Sequence, residues 1–68
     1  MNVSTILKEL NLNLFTYEEK THIFHNNALT NYKRDFEFTS EFIKLVRYLK
    51  ENHIKYREFK NGDVLVIS

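Results

Sequence analysis

The apolar positions change rhythm along the chain. Val3, Ile6, Leu7, Leu10 and Leu14 recur at helical spacing while Lys8 and Glu9 turn away from them, which predicts a short helix over 3–11. Between 17 and 25 the pattern is divided. Tyr17, Thr21, Phe24 and Ala28 suit a helix whose first turn is closed by the capping-box sequence Thr16-Tyr17-Glu18-Glu19. Thr21 to His25 followed by Asn26-Asn27 also suits a strand entering a turn. A helix over 17–25 is expected. From 31 the period becomes two, with Tyr32, Arg34, Phe36 and Phe38 alternating with Lys33, Asp35 and Glu37, and this predicts a strand over 31–38. Phe42, Leu45, Val46 and Leu49 then form the stripe of a helix over 40–52, flanked by Ile43. Thr39 or Ser40 can cap that helix, and Asn52 can take the left-handed conformation that ends it.

Residues 54–67 alternate again around Asn61-Gly62, the preferred loop of a two-residue type I′ hairpin. Such a loop places Lys60 opposite Asp63, Phe59 opposite Val64, Glu58 opposite Leu65, Arg57 opposite Val66 and Tyr56 opposite Ile67. In that register one face carries Ile54, Tyr56, Leu65 and Ile67, the natural floor for helix 40–52. The other carries Lys55, Arg57, Phe59, Val64 and Val66. This second face needs either the N-terminal segment or another molecule to cover it, so those five residues are the expected partner contacts.

Together the elements predict a small α+β domain in the order α-α-β-α-β-β, with a three-stranded, antiparallel-type sheet packed against helix 40–52. Composition agrees with one domain. The chain has 68 residues, 43% apolar and 28% charged, with no Cys, no Pro and a single Gly. A chain of this size buries only about 60% of the surface it exposes when unfolded. Formal net charge is +1, but it is unevenly spread. Residues 1–43 sum to −2 (Lys8, Lys20, Lys33 and Arg34 against Glu9, Glu18, Glu19, Asp35, Glu37 and Glu41). Residues 44–68 sum to +3 (Lys44, Arg47, Lys50, Lys55, Arg57 and Lys60 against Glu51, Glu58 and Asp63). A basic C-terminal third favours an anionic contact.

Catalytic and cofactor chemistry finds little support. Without cysteine there is no thiol nucleophile, no cysteine-ligated zinc and no iron–sulfur cluster. Glu19 and His22 have the Glu-x-x-His spacing of carboxylate-bridged metal bundles, but those sites need two such motifs and this chain has one. The single glycine, Gly62, is used by the bend, so no glycine-rich phosphate loop is available. No catalytic, cofactor-binding or metal-binding residues are therefore expected, and the chain is expected not to be an enzyme.

The leading expectation is a non-enzymatic regulator, adaptor or inhibitor that contacts a protein or a second copy of itself. Its small size and its eight Asn residues fit the kind of protein that phages and mobile elements encode. No apolar stretch approaches signal-peptide or membrane-spanning form, so a cytoplasmic protein without a membrane partner is expected. A nucleic-acid partner is the alternative. A helix followed by a hairpin resembles the recognition helix and wing of winged-helix domains over residues 40–67. That resemblance implies a helix face for the major groove and a wing for the phosphates, nominating Lys44, Arg47 and Tyr48, then Lys55, Arg57 and Lys60. The expected strand at 31–38 departs from it, because that fold places another helix there.

Overall fold

The N-terminal stripe folds as a 3-10 turn, Val3–Thr5, running into helix α1, Ile6–Glu9, in a computed structural model that describes residues 3–28 and 36–67. Its end is a Schellman closure. Asn11 takes φ 56°, Leu12 N–H donates to Leu7 O at 2.8 Å and Asn11 N–H donates to Lys8 O at 3.2 Å. This satisfies carbonyls that α1 would otherwise leave unpaired and turns Leu12 into the core.

The helix expected over 17–25 does not form. Strands β1 (Phe15–Glu18) and β2 (Ile23–Asn26) pair antiparallel instead, with Tyr17 opposite Phe24 and Phe15 opposite Asn26. Strand alternation sends Phe15, Tyr17 and Phe24 to the same side, where Phe15 and Phe24 are buried and the Tyr17 and Phe24 rings lie 4.6 Å apart. A helix starting at 17 would have left Phe15 outside the element. Thr16 is a strand residue whose hydroxyl accepts a hydrogen bond from the Asn27 amide, so the capping box is not used. The reversal closes at His22, which has φ 60° and donates its N–H to Glu18 O at 2.9 Å.

Helix α2 spans Phe36–Glu51 and so begins earlier than 40. The strand expected over 31–38 is thereby corrected at 36–38, and 31–35 lie outside the described residues. Phe38 decides the matter. It lies on the same stripe as Phe42, Leu45 and Leu49, and Phe38, Leu45 and Leu49 are fully buried. Its ring centroid is 4.9 Å from Phe15 and 6.0 Å from Phe42. Phe36, its partner in the apparent alternation, is 87% exposed. A second Schellman closure ends α2 at His53 (φ 58°), one residue beyond the expected Asn52, with Ile54 N–H donating to Leu49 O at 2.9 Å.

The C-terminal hairpin forms from β3 (Tyr56–Glu58) and β4 (Val64–Val66), but one residue out of the expected register. Tyr56 lies opposite Val66, Arg57 opposite Leu65 and Glu58 opposite Val64. The loop is the reason. Gly62 N–H donates to Phe59 O at 3.1 Å and Phe59 N–H to Asp63 O at 2.9 Å. Of Asn61 and Gly62, only Gly62 has positive φ, at 93°. This is a three-residue connection closed by a glycine bulge, in which Asn61 keeps an ordinary backbone. Contacts from β2 hold it there. Asn26 Nδ2 donates to Asn61 O at 2.6 Å, and Asn26 N–H donates to Asp63 Oδ1 at 2.7 Å.

Four strands thus form one antiparallel sheet in the order β1-β2-β4-β3, in place of the expected three, and the element order is α-β-β-α-β-β. Among the described residues the core lies on one face of the sheet. Ile6 of α1 and Phe38, Leu45 and Leu49 of α2 share it with Phe15, Phe24, Val64 and Val66 from the sheet. Each fully buried side chain of this kind contributes roughly 1.5–3 kcal/mol. Polar contacts tie the helices to the chain around them. Glu41 accepts the N–H groups of Asn13 and Leu14 at 2.8 and 2.9 Å, and Tyr48 Oη donates to Glu9 Oε2 at 2.9 Å.

Candidate interaction surface

Directly opposed residues in antiparallel strands share a face, so the pairings define rows across the sheet. One row on the face away from the core runs Glu18, Ile23, Leu65, Arg57. It sets two apolar side chains in the middle strands between an anion on one edge and a cation on the other. The same alternation puts Thr16, His25, Asp63 and Phe59 in the neighbouring row, and Ile67 and Lys55 beyond Leu65 and Arg57. Ile23 and Leu65 are half-buried, Ile67 is 59% exposed and Phe59 is 36% exposed. Among the described residues no helix packs on this face.

The five expected partner contacts are therefore divided. Lys55, Arg57 and Phe59 belong to the open face. Val64 and Val66 belong to the opposite face and are buried in the core, because the one-residue shift of the hairpin exchanges them with Leu65 and Ile67. Ile23, which sequence reasoning missed, enters through the β2–β4 pairing, where it meets Leu65. No local signal in the chain specifies that long-range contact.

The open face also holds a polar cluster that was not foreseen. His25 Nε2 lies 2.8 Å from Glu18 Oε2, and His25 Nδ1 lies 3.3 Å from Asp63 Oδ2. The hydrogen bond to Glu18 raises the pKa of His25, aided by the nearby Asp63 and opposed by desolvation. In return the hydrogen bond from His25, then that from Thr21, lowers the pKa of Glu18. With each ring nitrogen turned to a carboxylate, the imidazole has none left to activate a nucleophile, so the cluster acts as a brace between β1, β2 and the β3–β4 loop. Tyr17 Oη and His22 Nδ1, 3.1 Å apart, connect β1 to its own turn. Among the described residues no group of His, Cys, Asp or Glu is arranged to hold a metal ion.

The residues nominated for nucleic acid have different surroundings. Tyr48 faces α1 through its bond to Glu9. Lys44 lines a polar hollow with Asn13, Ser40 and Glu41. Arg47 lines a separate apolar groove between α2 and β3, of about 330 Å³, with Phe42, Ile43, Val46 and Lys50. Lys55 and Arg57 lie on the open face. Lys60 is in the hairpin loop, whose next residues bond back to β2. Among the described residues no helix is long and apolar enough to cross a membrane.

Comparison with family models, curated proteins and solved structures finds no match to this chain.

Proposed function

We propose that this chain is a non-enzymatic binding protein, a small cytoplasmic regulator, adaptor or inhibitor that docks a protein partner on the open face of its sheet. The observation that carries the reading is the row Ile23, Leu65, Arg57 with Ile67 and Phe59 beside it. Half-buried Ile23 and Leu65 and exposed Ile67 and Phe59 sit on a rigid sheet whose other face is packed, next to cations that can orient an approaching surface. Regular strands hold such a patch more rigidly than loops would.

A photo-crosslinking amino acid tests this. Placed at Ile67 or Phe59 in the expressing cell, it should give a discrete protein adduct that Arg57→Glu weakens. The same group at exposed Lys20, in the β1–β2 loop, should give none. Equal labelling from both positions, or no adduct from the open face, would remove the reading. Light scattering of the purified protein shows whether the adduct is a second copy. The nucleic-acid alternative predicts gel retardation of DNA at low salt, with log K falling in proportion to log salt.

A further inference from the structure

The outer edge of β3 carries a second surface, which shares Lys55, Arg57 and Phe59 with the open face. In antiparallel pairing, alternate residues turn their backbone groups to the neighbouring strand. Phe59 N–H and Lys55 O are both bonded across the hairpin, which assigns Lys55, Arg57 and Phe59 to the inner side. Tyr56 and Glu58 therefore turn N–H and C=O outward, and among the described residues β3 is the last strand of the sheet. Beside this edge lies the apolar groove of Phe42, Ile43 and Val46, with Glu58 on its strand side and Arg47, Lys50 and Glu51 on its helix side. Ile43 is 51% exposed.

Charge decides what can pair there. A second copy adding its own β3 antiparallel must bring outward residues opposite one another, and each two-fold register centred on a residue of β3, Tyr56–Glu58, opposes like charges. Centring on Arg57 sets Arg57 against Arg57. Centring on Tyr56 sets Arg57 against Lys55, and centring on Glu58 sets Glu58 against Glu58. Like charges directly opposite are destabilising, which is how natural edges resist self-pairing. Lys55, Arg57 and Lys60 surround the edge, and among the described residues the ion pairs are those of His25 with Glu18 and Asp63. These cations are left for a partner.

We infer that the β3 edge receives an extended acidic segment of another protein, added as a fifth strand. In that strand, residues opposite Tyr56 and Glu58 point toward the groove and are apolar. Those opposite Lys55, Arg57 and Phe59 point to the open-face side and are Asp or Glu. The segment thus alternates acidic and apolar residues. Backbone bonds hold it, and the alternate side chains select it.

The probe is a labelled seven-residue peptide alternating Glu and Val, titrated by fluorescence anisotropy. Binding should weaken about tenfold with Arg57→Glu and with Val46→Asp at the groove. Methylating the peptide nitrogens that face β3 should abolish binding, whereas methylating those on its far edge should leave it. A Lys/Val peptide should not bind. Ile23→Asp, which damages the open face but not the edge, should leave the affinity unchanged, so failure here is distinguishable from failure of the open-face reading. Equal binding of the Lys/Val peptide, or of the peptide methylated on the nitrogens that face β3, would overturn the inference, as would a duplex DNA that competes the acidic peptide off at equal concentration.

Discussion

The two faces of the sheet are built from the same strands by alternation, yet they obey different rules. On the covered face, Phe15, Phe24, Val64 and Val66 meet α1 and α2, and shape and volume decide what fits. On the open face, Ile23 and Leu65 lie between Glu18 and Arg57, and charge and solvent exposure dominate. A residue's role is set by which face it occupies, and one step of register exchanges the two sets. That makes the loop at Asn61-Gly62 the most consequential local feature of the chain.

Paired truncations give the largest expected contrast. Phe24→Ala on the covered face should cost about 3–5 kcal/mol, comparable to the whole stability of so small a domain, on the order of 3–10 kcal/mol. Leu65→Ala, one residue along from buried Val64, should cost less than about 1 kcal/mol. Urea unfolding followed by circular dichroism measures both, and equal losses would erase the distinction between the faces.

Gly62→Ala should act next most strongly, at about 2 kcal/mol. Gly62 has φ 93°, and an added Cβ would lie 2.9 Å from Asn26 Nδ2 and 3.0 Å from the Phe38 ring. The same unfolding experiment detects it. A neutral result would mean that the loop is not held against β2 and α2.

The smallest effect is the pH dependence of the brace on the open face. His25 has a raised pKa, so its contribution is complete below its ordinary value of 6.5 and is lost as pH rises through the folded value. Glu18 has a lowered pKa, so its contribution is present above its ordinary value of 4.5 and is lost as pH falls through the folded value. The brace is therefore strongest between those two ordinary values. Thermal melts across pH should show the gap between the parent protein and His25→Gln widest there and closing on either side. A gap that does not change with pH would show that His25 acts by packing alone.

Sequence periodicity disclosed most of the elements where side chains and local turns agree. The helix at 3–11, the body of α2 from Phe42 to Leu49 and the strands flanking Gly62 all follow from spacing. It failed where two local solutions are equally good and a distant contact selects one. Asn61-Gly62 fits both a two-residue and a three-residue loop, and the choice falls to Asn26, which bonds Asn61 O and Asp63 from another strand. Phe36 and Phe38 fit both a strand and a helix, and the packing of Phe38 on Phe15 decides. Of the open face, Lys55, Arg57 and Phe59 were legible as neighbours, since they lie on one strand and its extension. Ile23 and the His25 brace were not, because they depend on the pairing of β2 with β4 and on the loop's position.

Cross-strand Hα–Hα contacts measured by nuclear Overhauser spectroscopy test the register most directly, since only opposed residues that are not hydrogen-bonded bring these protons close. The structure predicts strong contacts between Tyr56 and Val66 and between Glu58 and Val64. Contacts between Arg57 and Val66 and between Phe59 and Val64 would contradict it, restoring the two-residue loop and returning Val64 and Val66 to the face that carries Arg57.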